Sequence, residues 1–507
     1  MAVPGPKQQQ EEEASATPLH IVVFPWLAFG HLIPFLELSK RLAARGHAVT
    51  FLSTPRNIAR LPPVPEGLSG RVRFVALPLP AVDGLPEGAE STADVPPEKV
   101  DLLKVAFDGL AAPFADFLAA ACAGDRSAGE HEGFGRKTDW IVLDFAHYWA
   151  CPIAEKHKVL CALFHIATAA MHAYMGSRQD NASNPRATVE DFMPMPRWFS
   201  SPPSLAFRRQ EAAWMAGVFR PNFSGVTDAV RVWRVQHHSR LLVVRSCPEL
   251  EPRALPLLAE LHRKPVVPAG LLLPADHRRD DDGEHGCHGS SGGSEVAARS
   301  GALRWLDEQP SGSVVYVALG SEAPVTAEGV RELALGLELS GARFLWALRL
   351  PSGATDAAAP PLLPDGFEAR TRGRGAVCTG WVPQTRVLAH AAVGAFLTHC
   401  GWGSAAENLK FGHPLVMLPF IVDQGLIARM MAERGIGVEV DRRDDGWFGR
   451  EDVAAAVRRV MVEEEGKMLA LNARSLHEVV VGDDGGRQER YVDELVECLQ
   501  AELRRGY

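Results

Sequence analysis

Two groups of residues in this 507-residue chain have types and spacings suited to chemistry. The first follows a strand ending at Thr398, which delivers His399-Cys400-Gly401-Trp402-Gly403-Ser404 to the start of a helix running through Lys410. Backbone N–H groups at that helix start, the positive end of its dipole, the Ser404 hydroxyl and the His399 imidazole form an anion site suited to a phosphate or diphosphate, with no lysine or metal required. Trp381 offers a flat face on which a base can stack, and Glu407 can accept hydrogen bonds from two ribose hydroxyls. Asp423 and Gln424, at the end of the following strand, can hold sugar hydroxyls. The second group is His31 with Asp144. His31 begins the first long helix, whose positive end disfavours a proton on the ring and keeps it available as a base near neutral pH. Asp144 ends a strand over 140–143, and in a parallel sheet both side chains would emerge on one carboxyl edge as a dyad.

The elements that must position these groups alternate between strand and helix. His20 to Phe24 reads as a buried strand, Pro25 to Gly30 as a loop, and Leu32, Phe35, Leu36, Leu38 and Leu42 as the apolar stripe of a helix closed by Arg45-Gly46. Further strands are expected at 48–53, 72–77 and 140–143, so the first half is a doubly wound α/β domain with a parallel sheet. Residues 274–300 are rich in Gly, Ser, His and charge and contain little that could enter a core. A second α/β series follows, with strands at 313–319, 344–349, 375–379 and 393–398 and a helix over 326–340. The expected divisions are a disordered leader at 1–17, a first α/β domain at 18–265, a linker with a flexible insertion at 266–300, and a second α/β domain at 301–485. An amphipathic helical stretch is expected over 451–478, and a last helix within 486–507 that could return to the first domain. Two tandem domains of this kind place a cleft at the carboxyl ends of both sheets.

The segment from Trp381 to Gln424 resembles the signature box of plant UDP-dependent glycosyltransferases at Trp381, Pro383-Gln384, Leu388, His390, Gly394, Phe396, His399-Cys400-Gly401-Trp402, Ser404, Glu407, Gly412, Pro414, Pro419 and Asp423-Gln424. The resemblance extends to Pro25-Trp26, Gly30-His31, the RSCPELEP segment at 245–252 and SVVYVALGS at 313–321. It implies the GT-B arrangement of two Rossmann-like domains. It also implies that Trp381 stacks on uracil, Val382 meets the uracil edge through its backbone, and Gln384 and Glu407 hold the ribose. Ser321, His399, Gly403 and Ser404 would surround the diphosphate, and Trp402, Asp423 and Gln424 would contact the donor sugar. The terminal Gln424 resembles the glucose-preferring members, which points to UDP-glucose as co-substrate and to no other cofactor. By the same resemblance Asp144 bonds His31, the ring removes the acceptor proton, and transfer inverts the anomeric centre. One position departs from the family pattern, which has Asn where this chain has Gly403. An unreplaced hydrogen bond to a charged group would cost about 1.5–3 kcal/mol.

The stretch Pro25-Trp26-Leu27-Ala28-Phe29-Gly30-His31 resembles the subgroup that adds a sugar to a sugar already carried by a flavonoid or a terpenoid such as one of the steviol type. Walls for that acceptor are expected from Phe29, His147, Tyr148, Thr168, Phe199 and Trp214, with the irregular segment 176–225 shaping acceptor choice. Glucosylation of the free aglycone is the alternative.

Plainer readings compete. A lone histidine after a strand is more often structural than catalytic, and tryptophans are by default core residues. His390 reads as a packing or hydrogen-bonding residue, and Asp280-Asp281-Asp282 as a solvated charge run, so no metal is assigned. Gly401-Trp402-Gly403-Ser404-Ala405-Ala406 also fits the dinucleotide pattern, with Asp423 near the spacing of a ribose-binding acid, so an NAD-dependent oxidoreductase stays open as a remote alternative. A catalytically silent glycoside-binding protein is another, because of Gly403. Fifty-three basic against 62 acidic residues, a net charge of −9, argue against a nucleic-acid partner. Eight cysteines without paired spacing suggest reduced thiols in the cytoplasm, and the leader lacks the apolar core of a signal peptide. No run of about 18 apolar residues stands out as a membrane span, and a monomer is expected.

Overall fold

The computed structural model describes residues 17–123, 134, 136–199, 205–274, 301–320, 323–348, 362–380, 382–482 and 486–506. Seven strands form the first sheet: β1 (His20–Phe24), β2 (Ala48–Ser53), β3 (Val72–Ala76), β4 (Trp140–Leu143), β5 (Leu160–His165), β6 (Leu241–Val244) and β7 (Val266–Pro268). Six form the second: β8 (Val314–Ala318), β9 (Arg343–Ala347), β10 (Gly375–Cys378), β11 (Val393–Thr398), β12 (Leu415–Met417) and β13 (Gly437–Glu439). The spatial orders are β3-β2-β1-β4-β5-β6-β7 and β10-β9-β8-β11-β12-β13, every pair parallel.

Helices cover both faces, which is why β1 and β4 are apolar on both sides and every residue in them is buried. Each sheet reverses its winding direction at one place, between β1 and β4 in the first and between β8 and β11 in the second. Such switch points open the crevice in which α/β folds bind ligands. Phe24 pairs with Leu143 and Thr398 with Ala318, so the residues leaving β1 and β4, or β8 and β11, emerge side by side.

The first lobe extends beyond 265, because Val266–Pro268 is its seventh strand and pairs with β6. The helix Gly486–Arg505 also belongs to it. Val492, Leu495 and Leu499 share an apolar cluster with Leu38, Leu42, Leu241 and Val243. At the rim Arg45 Nε donates to Asp493 at 2.5 Å, and Leu271 N donates to Gln488 Oε1 at 2.7 Å.

Two expectations need correction. The stretch 451–478 is two helices, Arg450–Met461 and Glu464–Val480. They turn so tightly on one another that a Cβ at Gly466 would lie 2.1 Å from the Val460 carbonyl oxygen. Segment 176–225 is not irregular throughout, since it contains the helices Arg178–Ser183 and Arg209–Val218. Ser177 and Asp180 form a capping box that starts the first of these, and the Arg186 guanidinium lies 4.7 Å from the Phe192 ring and 5.0 Å from that of Trp198.

Among the described residues one helical stretch, Pro97–Ala123, is long and apolar enough to cross a membrane by length and composition. It divides into shorter helices and sends Leu103, Phe107, Phe114 and Leu118 into the first lobe's core, which accounts for its apolarity. The segment 275–300, including Asp280-Asp281-Asp282, lies outside the described residues.

Because Leu495 is 1% exposed among side chains of the first lobe, Leu495→Ala is expected to destabilise the protein by about 2–5 kcal/mol. Urea unfolding followed by the fluorescence of first-lobe tryptophans checks this. An unchanged midpoint would mean that the C-terminal helix is dispensable to that lobe.

Candidate active site

The helix Phe29–Ala44 begins two residues ahead of His31, has no side-chain cap and carries no acidic residue in its first turn, so its positive end is unscreened. Asp144, on the adjacent strand, is 2% exposed. Its Oδ2 accepts from Trp26 N at 2.9 Å and lies 2.6 Å from His31 Nδ1, while Oδ1 accepts from Phe145 N at 2.7 Å. Burial by itself would push the Asp144 carboxyl up, but the His31 charge, the bond to its ring and the Trp26 N–H outweigh burial and hold it below the ordinary carboxylate range. An ionised Asp144 fixes the His31 proton on Nδ1, which leaves Nε2 with the basic lone pair. Two partners of this pair were not foreseen from the sequence. Trp26 contributes its backbone, and Phe145 places its half-buried ring 5.6 Å from the His31 imidazole. Position 145, directly after the strand-end aspartate, was the available signal.

On the second lobe β11 ends at Thr398 and the chain turns through Cys400 at φ 64° into the helix Trp402–Leu409. After β12 it turns through Val422 at φ 56° into the helix Gln424–Glu433. A β-branched residue is rarely left-handed, and such strain, about 1–3 kcal/mol, tends to gather where chain direction serves a site. His399 is clamped between two glycines. A Cβ on Gly320 would lie 2.6 Å from its Cε1, and one on Gly401 2.5 Å from its Nε2. Burial lowers the His399 pKa to about 4, so the ring is neutral, and Nδ1 is buried without a partner among the described residues. Gln384 Nε2 donates to Glu407 Oε2 at 2.8 Å and approaches Ser404 Oγ at 3.4 Å, which brings three of the expected nucleotide contacts together. Burial raises the Glu407 pKa. Gln424 Oε1 accepts from Phe420 N at 2.8 Å and from Ile421 N at 3.0 Å, so the amide orientation is set and its –NH2 remains as a donor. Val382 is buried beside this group, whereas Trp381 and Ser321 lie outside the described residues.

The lobes meet through these elements. Burial raises the Asp423 pKa to about 6, and the next influence from another residue is the charge of His31, which acts in the opposite sense across the cleft. Trp402 does not present its indole N–H to a ligand, because Nε1 donates to the Arg245 carbonyl of the first lobe at 2.7 Å. Its expected sugar contact would have to come from its backbone. Of the expected acceptor walls, His147 is a core residue, wholly buried with its ring 4.5 Å from Phe24 and 4.7 Å from Phe107. Thr168 is buried and caps the helix Ala169–Met175 through its hydroxyl, and Phe199 belongs to the apolar core. Phe29 lies under the Arg60 guanidinium at 5.0 Å and Tyr148 under that of Arg231 at 4.8 Å, both half-buried, while Trp214 is exposed. His390 Nε2 pairs with Asp307 at 3.1 Å, a surface role. Among the described residues no three His, Cys, Asp or Glu side chains gather into a metal site.

Two Rossmann-like domains facing one cleft define the GT-B class of glycosyltransferases. Residues 295–479 match the family described as UDP-glucoronosyl and UDP-glucosyl transferase. Over 99% of both chains, this protein is 42% identical to UDP-glycosyltransferase 91B1 of Arabidopsis thaliana. It is 36% identical to soyasaponin III rhamnosyltransferase of Glycine max, over 95% of this chain and 96% of that one. In fold it is similar to Phytolacca americana UGT2 complexed with UDP-2-fluoro-glucose and pterostilbene, with a TM-score of 0.73 at 23% identity over 95% and 99% of the two chains. The chain belongs to the plant UDP-glycosyltransferases.

The raised pKa of Asp423 has a measurable consequence. An acid whose folded pKa exceeds its unfolded value favours folding fully below the unfolded pKa, and that contribution is lost as pH rises through the folded value, here about 6. Asp423→Asn stays neutral, so it is expected to be more stable than the parent by about 3 kcal/mol at pH 8 and by less than about 1 kcal/mol at pH 4. Urea midpoints at the two pH values decide this, and equal stability at pH 8 would contradict the shift.

Proposed function

We propose that this transferase moves glucose from UDP-glucose, with inversion and without a metal ion, to a hydroxyl of a small lipophilic plant metabolite, and that the accepting hydroxyl belongs to a sugar already attached to a terpenoid or flavonoid. The observation that carries the reading is the 2.6 Å contact between His31 Nδ1 and Asp144, set where the His31 charge acts on Asp423 of the opposite lobe.

The acceptor hydroxyl gives its proton to His31 Nε2, and the imidazolium is stabilised by the ionised Asp144. The oxygen attacks the anomeric carbon from the face opposite UDP. The new glycosidic C–O bond forms as the bond from that carbon to the phosphate oxygen breaks. Negative charge then grows on the diphosphate, where the backbone N–H groups at the start of helix Trp402–Leu409, Ser404 and neutral His399 donate hydrogen bonds to it. Trp381, Val382, Gln384 and Glu407 hold the uridine in this scheme, and Asp423 with the Gln424 amide holds glucose hydroxyls. Two relatives lend support. One is named for rhamnosyl transfer to soyasaponin III, and the Phytolacca structure holds a UDP-sugar analogue together with pterostilbene. The sugar-on-sugar acceptor rests on the Pro25 to His31 stretch, whose Trp26 and His31 both bind Asp144.

His31→Ala is expected to lower turnover by about 10²–10⁴-fold with the affinity for UDP-glucose nearly unchanged. Single-turnover product formation and calorimetry read the two quantities, and turnover near the parent's would reject His31 as the base. A panel of aglycones and their glucosides, incubated with UDP-glucose and analysed by product mass, should show a hexose added more readily to the glucosides. The reverse preference would remove the sugar-on-sugar acceptor and leave glucosyl transfer standing.

A further inference from the structure

Arg245 directly follows β6 at the carboxyl edge of the first sheet and is 4% exposed. Its side chain makes one hydrogen bond, Nε to the Leu271 carbonyl at 2.8 Å, and no ion pair with a carboxylate among the described residues. A guanidinium carries five donors; the charges of Glu407 and Glu37 act on it, but neither carboxylate is in ion-pair contact, so its Nη groups remain for an anion. Burial pushes the Arg245 pKa down to about 10, which still leaves it fully charged near neutral pH. The arginine is held against the second lobe, since its own carbonyl accepts the Trp402 indole N–H. Its Nη1 is 3.9 Å from where a Cβ on Gly403 would stand, the nearest approach among the described residues apart from the chain neighbours and the helix's own backbone. Gly403 lies in the first turn of the helix whose N-terminus faces the diphosphate, at the position where the family pattern has Asn.

We propose that the Arg245 guanidinium is a ligand of the donor diphosphate, reaching from the acceptor lobe past Gly403 to supply the hydrogen bonding that an asparagine side chain at 403 would otherwise give. Gly403 leaves the room and Arg245 fills the role, with a charged donor in place of a neutral one. A guanidinium binds a phosphate in fork geometry, so the exchange strengthens the diphosphate contact. Donor binding thereby engages both lobes, because one of its ligands comes from the sheet that carries His31. This inference rests on the UDP-sugar reading above.

The test compares UDP with uridine, which lacks the phosphates, by titration calorimetry and displacement on the full chain. Arg245→Met is expected to weaken UDP by about tenfold or more and to change uridine by less than about twofold. Gly403→Asn alone, by crowding the guanidinium, should weaken UDP, whereas added to Arg245→Met it should recover part of the UDP affinity, a non-additive pair. If the methionine variant does not fold, Arg245→Gln is read in the same way. Equal weakening of UDP and uridine would mean that Arg245 only anchors Trp402, and unchanged UDP affinity would mean that it touches no phosphate; either overturns the inference. A parent chain that bound uridine and UDP equally would overturn it too. Failure of the parent to bind either nucleotide would instead remove the transferase reading, and this inference with it.

Discussion

The structure depends on holding two carboxyl sheet edges face to face across one crevice. An imidazole from one sheet can act on a sugar presented by the other only if the lobes keep their distance and angle to within a fraction of an ångström, because proton transfer and attack both fail with small displacements. The seam that sets this geometry is polar and buried. Glu211 of the first lobe pairs with Arg429 of the second at 2.6 Å, and Glu211 is 1% exposed. Such a pair adds little net stability, but a lobe shift that separated it would strand two desolvated charges. Trp402 Nε1 on the Arg245 carbonyl and Lys410 Nζ on the Pro274 carbonyl at 3.2 Å add directional contacts along the same seam. The chain also crosses between lobes twice, since the helix Gly486–Arg505 returns to the first sheet after the second domain is complete.

Within the crevice the protein sorts its charges by environment. Asp144, fed by two backbone N–H groups and a histidine, is held ionised, whereas Asp423, also buried and with its own backbone N–H as donor, is pushed toward neutrality. Two carboxyls driven apart in this way take different duties, one stabilising a developing cation and the other offering hydrogen bonds. His399 follows the same logic on the donor side. Enclosed by Gly320 and Gly401, it is neutral rather than a cation, so in the proposed scheme positive character near the phosphates comes from the helix start and from Arg245.

Side-chain size decides much of this. A methyl group at Gly320 or Gly401 would collide with the imidazole, and the left-handed Cys400 and Val422 aim the two donor-side helices at the crevice. Phe145 places a half-buried ring next to the polar dyad, packed 5.7 Å from the buried Trp26. An apolar body and a polar edge side by side suit a ligand that is itself divided into lipophilic and hydroxylated parts.

The alternation of apolar strands with amphipathic helices determined the two α/β domains by itself, because period and strand-to-helix order are local properties, and His399 and Ser404 at a helix start marked a candidate anion site. Strands of three residues such as β7, β12 and β13 carry too little periodicity to be read, so the first lobe's true boundary emerged only from the pairing of Val266–Pro268 with β6. The acceptor wall was the least legible part. His147, Thr168 and Phe199 have suitable chemistry and are buried, and how a residue after a strand is buried is set by packing against distant residues. Arg245 and Gly403 are 158 positions apart, and only the closing of one lobe on the other brings the guanidinium to the empty side of that glycine.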